Sequence, residues 1–341
     1  MHPALAKYDD LTVVGRDLTD ASGFTLTALV HDEMHFLPPF LDHYRRLGVE
    51  RFVFIDDRST DGTAEFLAVQ PDVMVLQSSY RFGDKVDMVD AQALGSNGMR
   101  HHLIWRMLLL QKYARGNWSL HLDADEFLDL PPGLSISDFC QRLGKDGESH
   151  VWAVMLDLYP ESLATLYAMA DDKVIDFEKD WFFDGRRHLR LRANKRPKVV
   201  YAGSRARLMQ AHGLNPKQDW FHRTFPWLGR QSPARFNAIR KPVLLRWADE
   251  MQLLSAHIVS GRAVKEYLLP LRHYKFNGAI AARISWALET GGYSGGSAEY
   301  KALEQLFLRM QQNDPNFIEK VSMRYAGFHD FVRTHNAEGF D

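Results

Sequence analysis

Two hydrophobic periods alternate along the first half of the chain. Residues 24–30, FTLTALV, are an apolar and β-branched run that ends in the polar HDE of 31–33. The apolar positions that follow, Phe36, Leu37, Phe40, Leu41, Tyr44 and Leu47, recur at helical spacing and stop at Gly48. RFVFIDD at 51–57 repeats the first pattern, a buried strand closing on carboxylates. STDGTAEFLAVQ then offers Thr60 or Asp61 as the N-cap of a short helix. DVMVLQ predicts a third strand, and Met99, Leu103, Met107 and Leu110 place one apolar stripe on a helix of about four turns. WSLHL at 118–122 and HVWAVMLDLY at 150–159 predict the fourth and fifth strands.

Strands alternating with helices predict an α/β fold, a Rossmann-like, mainly parallel central sheet flanked by helices. Ligands of such sheets bind beyond the carboxyl ends of the strands. The polar clusters fall at those ends: HDE at 31–33, Asp56 and Asp57, DADE at 123–126, and Asp157. They are expected to share one rim.

Beyond about residue 170 the pattern weakens. RRHLRLRANKRPK at 186–198 is basic, with Leu189 and Leu191 alternating against Arg190 and Arg192 as in a half-buried strand. It reads as a solvated strand face or as a patch for an anionic ligand. NPKQDWFHRTFPWLGRQSP at 215–233 reads as an excursion. Trp181, Phe182, Trp220, Phe221 and Trp227 could stack on a ring-shaped ligand, but scattered aromatics more often pack. RKPVLLRW, LLSAHIVSG and YLLPLRHYKFN predict three short elements, and SAEYKALEQLFLRMQQ a helix. Without internal repeats or low-complexity linkers, one elaborated domain is expected. It divides into an N-terminal extension (1–23), a first half (24–160), a second half (161–300) and a helical tail (301–341).

Composition removes several classes. Lys plus Arg (42) nearly balances Asp plus Glu (43), and a net charge of -1 argues against nucleic acid as partner. A single cysteine, Cys140, excludes an intrachain disulfide and a cysteine zinc cluster. The first residues lack an apolar core of signal-peptide length. MLLL at 107–110 falls far short of the roughly 18 residues that span a bilayer. The expectation is a soluble, cytoplasmic protein, with peripheral contact at the inner face of the membrane left open.

Carboxylate residues two apart on an extended strand have their Cα atoms about 6.5 Å apart and their side chains on the same face. Asp123 and Asp125 at such an exit fit one hard cation, Mn²⁺ or Mg²⁺, which needs few protein carboxylates when phosphates supply the rest. An acidic turn capping a helix would use the same residues. Asp56 and Asp57 at a strand end suit hydrogen bonds from a nucleobase and a ribose, whereas Ser59, Thr60 and Asp61 are explained by an N-capping turn.

TALVHDEMHFLPPFLDHYRRLGVERFVFIDDRSTDGT followed by WSLHLDADEF resembles nucleotide-sugar-dependent glycosyltransferases of the family 2 type, with the GT-A fold. It resembles most the bacterial branch typified by RNE, D-x-S-x-DGT and DADEF. LDLYP (156–160), FFDG (182–185), AGSRARL (202–208), RKPVLLRW (240–247), SAH (255–257), LRHYKF (271–276) and AEY (298–300) continue the likeness across roughly residues 24–305.

The resemblance implies that 24–160 binds the nucleotide sugar and 161–300 the acceptor. Asp32, Glu33, Asp56 and Asp57 would surround the nucleoside of a UDP- or GDP-sugar, and Asp123 and Asp125 would hold the metal. His31-Asp32 departs from the usual Arg-Asn. His273 would complete the metal site, with His257 second, and Lys275 would neutralise the departing diphosphate. An inverting reaction needs a base within hydrogen-bond reach of the acceptor hydroxyl. Asp157, Asp184 and His257 are the candidates, because the usual Glu-Asp base motif is missing. The acceptor would be a saccharide or a lipid-linked one. A nucleotidyltransferase would share the sheet and acidic site, but HDEMHFLPP stands where its Gly-rich phosphate loop belongs. A non-catalytic nucleotide- or carbohydrate-binding protein of this fold is the other alternative.

Overall fold

The structure is a computed structural model and describes residues 1–96, 98–144, 147–185, 193, 203–214, 239–291 and 294–340. The basic run 186–198, Ala193 apart, and the aromatic run 215–233, with Trp220, Phe221 and Trp227, lie outside them.

A ten-stranded sheet is the frame. Its strands are β1 (Thr12–Val14), β2 (Thr25–Val30), β3 (Arg51–Asp56), β4 (Val73–Gln77), β5 (Trp118–Leu122), β6 (Glu126–Leu128) and β7 (Glu148–Asp157). A small strand, β8 (Phe182–Asp184), pairs outside it with β14 (Ser322–Arg324). β9 (Arg240–Arg246), β12 (Arg262–Ala263) and β13 (Leu269–His273) complete the large sheet, and β10 (Leu253–Ser255) with β11 (Ile258–Val259) forms a hairpin. The order is β1-β4-β3-β2-β5-β9-β7-β13-β6, with β12 beside β7.

The pairings β4–β3–β2–β5 are parallel, as are β7–β13 and β7–β12. β9 is antiparallel to both β5 and β7, so β5 and β7 run the same way. β1 and β6 are antiparallel edges. The sheet is therefore mixed but mostly parallel. The carboxyl ends of β2, β3, β5, β7 and β13 share one rim, as the polar clusters predicted. Because β9 and β6 run the other way, their first residues, Arg240, Lys241 and Glu126, reach the same rim.

Alternation on β3 assigns the two faces. Phe52 and Phe54 join the core formed with Phe40, Leu41 and Tyr44 of helix Leu37–Leu47. Val53 and Ile55 join Trp105 and Leu109 of helix His101–Tyr113. The first helix ends as its sequence predicts, at Gly48 with φ 99°, a left-handed conformation that glycine adopts without a Cβ clash. The second differs from the single apolar stripe expected of it. It is buried on nearly every side, because it packs on β2 and is also covered by the β10–β11 hairpin.

Segment 1–23 is an integral part of the fold. β1 closes the sheet edge on β4, while Ala4, Leu5 and Tyr8 pack against Leu103 and Met107. The helix after β3 begins at Thr63, later than the Thr60 or Asp61 cap predicted, and Gly62 holds the N-cap position. Asp61 instead spans two segments, its carboxylate accepting from the Thr63 and Met34 N–H groups.

One close approach fixes the second half. At Gly278, between β13 and helix Ile280–Thr290, an added Cβ would lie 2.0 Å from the Met169 carbonyl oxygen. Backbone cannot yield as a side-chain end can. Gly278→Ala is expected to cost about 1–3 kcal/mol, read as a lower urea midpoint at unchanged slope.

Candidate functional site at the sheet rim

The site grows from the ends of five parallel strands and the beginnings of two reversed ones. At the tip of β5 the chain leaves the strand at Leu122, and Asp123 to Asp125 form a turn in which the Glu126 N–H donates to the Asp123 carbonyl at 3.1 Å. The extended geometry expected for Asp-x-Asp therefore does not hold, and the two carboxylates take different partners. Asp123 accepts from Arg106 Nη2 at 2.6 Å and from Lys241 Nζ at 2.7 Å. Asp125 Oδ2 lies 3.4 Å from His273 Nε2.

Register explains the first set. β5 and β9 pair Leu120 with Leu244, and three residues further the same antiparallel ladder brings Lys241 to Asp123. Lys241 is 1% exposed, and its ammonium also donates to Glu126 Oε2 at 2.5 Å. Burial alone would raise the Asp123 carboxyl, but Arg106 and Lys241 hold it well below the usual carboxylate range. Burial pushes Glu126 upward against the pull of Lys241. Arg106 in turn meets His121 Nε2 at 2.7 Å.

Register explains the second set as well. β7 and β13 pair Asp157 with His273. His273 Nδ1 lies 2.6 Å from Asp157 Oδ1, and Arg205 Nε donates to Asp157 Oδ2 at 2.9 Å. Arg205 also meets Glu299, whose Oε1 is 3.5 Å from Lys275 Nζ. Lys275 donates to Tyr300 Oη at 3.3 Å and sits over that ring. Burial would lower the His273 pKa, but Asp125 and Asp157 raise it to about 9. Burial is likewise outweighed at Asp157, where Arg205 and His273 keep the carboxyl low.

The expected nucleoside group lies at the ends of β2 and β3. Asp32, at φ 52°, accepts from the Thr60 N–H at 2.6 Å and donates its own N–H to Ser59 Oγ at 2.9 Å. Asp56 accepts from the Ser59 N–H and Gln77 Nε2, and Asp57 pairs with Arg81 at 2.9 Å. His31 Nδ1 meets the Asp57 carbonyl at 2.9 Å, and its ring lies 4.7 Å from that of Trp286. Much of DDRSTDGT thus ties the β3 exit to the β2 exit. Glu33 takes Arg283 Nη2 at 2.7 Å, yet burial pushes its carboxyl up to about 7, with Asp125 and Asp123 adding to the shift.

Of the base candidates, Asp157 is closed off by His273 and Arg205. Asp184 accepts from Arg207 Nε and Nη2 and from Tyr159 Oη at 2.7 Å, which makes it a structural anchor. His257 stands in the β10–β11 turn, its Nδ1 2.8 Å from the Arg240 carbonyl.

Among the described residues no group of three or more His, Cys, Asp or Glu side chains is arranged to hold a metal ion. Asp125 and His273 form a pair. Their 3.4 Å separation is close to the roughly 3 Å between adjacent ligands of one ion bound at about 2.1 Å. Asp157 on Nδ1 is the carboxylate partner that orients a ligating imidazole. Asp123, held by two cations, does not fit as a direct ligand here. Comparison with protein-family models and with curated proteins finds no match for the chain.

Sequence reading singled out Asp123, Asp125, Asp157 and His273 but not the cations that hold them. Arg106 was legible as the one charge inside IWRMLLL, and Lys241 as part of a basic pair opening a buried strand. Glu299 stands in the AEY motif but without any sign of its partners, and Arg283 carries no local signal.

Two predictions follow from the charges. Lys241→Met leaves Asp123 and Glu126 without their shared ammonium and is expected to cost about 3–5 kcal/mol, with part of the loss recovered by Lys241→Met/Glu126→Gln in the same denaturation assay. Glu33 keeps its proton up to about 7 in the fold, against an ordinary value of 4.5. Between those values the folded state binds more protons, so this group makes stability fall as pH rises. Relative to the wild type, Glu33→Gln should gain about 3 kcal/mol between pH 4.5 and 8. Unfolding free energies of both proteins at the two pH values measure the drift.

Proposed function

We propose that the protein is a metal-dependent glycosyltransferase of GT-A type, moving a sugar from a UDP- or GDP-sugar to an acceptor hydroxyl with inversion. The observation that carries this reading is the Asp125–His273 pair with Asp157 behind it, at the rim where a parallel sheet presents its ligand site. Asp125 and His273 would hold Mn²⁺ or Mg²⁺, which stabilises charge on the departing diphosphate. Asp157 fixes the imidazole of His273. Lys275 adds positive charge beside the same pair, and Arg205 and Glu299 hold that group in register. Lys241 and Arg106 keep Asp123 ionised and positioned, ready to accept from donor hydroxyls.

Glu33, Asp32, Asp56 and Asp57 border the nucleoside on the β2–β3 side, with Arg283 and Trp286 facing them. The saccharide or lipid-linked acceptor approaches from the β9–β7 side, in a reaction of polysaccharide or glycoconjugate synthesis. No helix among the described residues is long and apolar enough to cross a membrane.

Thermal shift of the full chain against UDP, GDP and their sugars, with and without Mn²⁺, tests the reading. One nucleotide is expected to raise the melting temperature, and more so with Mn²⁺. Asp125→Ala should lose the Mn²⁺-dependent part and keep the fold. Wild type indifferent to every nucleotide would sink the proposal.

A further inference from the structure

Resting on the glycosyltransferase reading, we infer that His257 is the general base that takes the proton of the acceptor hydroxyl. Three observations place it there. His257 lies in the turn of the β10–β11 hairpin and is tied to Arg240, the first residue of β9, which starts at the rim. The next residue, Lys241, reaches Asp123 at the tip of β5. The imidazole thus stands on the β9 side of the β5 tip, opposite the nucleoside side at β2 and β3.

The ring is also in the tautomer a base requires. A backbone carbonyl only accepts, so the 2.8 Å contact to Arg240 puts the proton on Nδ1 and leaves the lone pair on Nε2. Nε2 takes no hydrogen bond among the described residues and is not sealed from solvent. The charged groups facing the ring are Lys241, Asp123 and Arg205. Burial first, then Lys241, hold the imidazole down to about 4, so it is neutral at physiological pH and takes the proton only as bond formation to the anomeric carbon makes the hydroxyl strongly acidic.

The carboxylates of the rim are occupied. Asp157 is shared by His273 and Arg205, and Asp184 is gripped by Arg207. Glu33, pushed up to about 7, belongs to the nucleoside side through Arg283.

The step balances. The acceptor oxygen bonds to the anomeric carbon as its proton passes to Nε2. The bond from that carbon to the diphosphate oxygen breaks, and its electron pair leaves with the nucleoside diphosphate. The imidazolium then returns the proton to water.

The test uses the full chain with UDP- and GDP-sugars, Mn²⁺, and water or free monosaccharides as acceptors, reading nucleoside diphosphate release. His257→Asn keeps an amide N–H for the Arg240 carbonyl but has no basic nitrogen. It is expected to bind the nucleoside diphosphate within twofold of wild type, melt at the same temperature, and release product about 100-fold more slowly or worse. Unchanged turnover in His257→Asn, with wild type active, overturns the base assignment alone. So does a loss of turnover confined to Glu33→Gln. A wild type that binds nucleotide and Mn²⁺ but turns over no donor overturns the base assignment together with the transferase reading.

Discussion

The arrangement of the rim depends on a buried ammonium. Lys241 sits between Asp123 and Glu126, almost wholly shielded from water. An isolated charge there would be costly, and so would two facing carboxylates, but the three together with Arg106 form a set in which each charge meets an opposite one. Its geometry is dictated by the sheet. β9 runs opposite to its two neighbours, so its basic beginning meets their acidic ends. A parallel strand in that place would have delivered its last residues to the rim, and a different pair of side chains.

A second set of charges alternates in sign from Asp125 through His273, Asp157 and Arg205 to Glu299. It connects β13 and β7 to helix Ser204–Ala211 and to helix Ser294–Gln312, four elements well separated along the chain. Each group has a counter-charge within reach, so the rim is both highly charged and ordered. Low dielectric strengthens every pair in such a set and penalises any member that loses its partner. That combination keeps side chains in one orientation, as any site that positions a ligand requires.

Much of this frame was legible in the sequence, for a physical reason. Strand and helix periods are local, and the carboxylates at 31–33, 56–57, 123–126 and 157 stand where strands stop, so a parallel sheet gathers them on one rim. The late His273 was also legible, from a polar, basic end to an apolar strand. Pairing was not. Nothing local in RKPVLLRW says that Lys241 meets Asp123, because the match depends on the antiparallel register between β5 and β9. Asp-x-Asp misled in one respect: the strand ends at Leu122, and a turn sends the two carboxylates apart. Asp184 was a reasonable base candidate by position, yet Arg207, two residues beyond Arg205 on the same helix, consumes it. The carboxylates at the β2 and β3 exits were legible by position, but the hydrogen bonds with which Asp32 joins the two loops involve partners about thirty residues away.

The reversed strand has one more consequence, for how this protein can vary. A one-residue deletion inside β9 would draw Lys241 away from Asp123 and carry the rest of the strand's side chains to the opposite face of the sheet. Change at this end of the rim is therefore confined to substitutions that keep the residue count along β9.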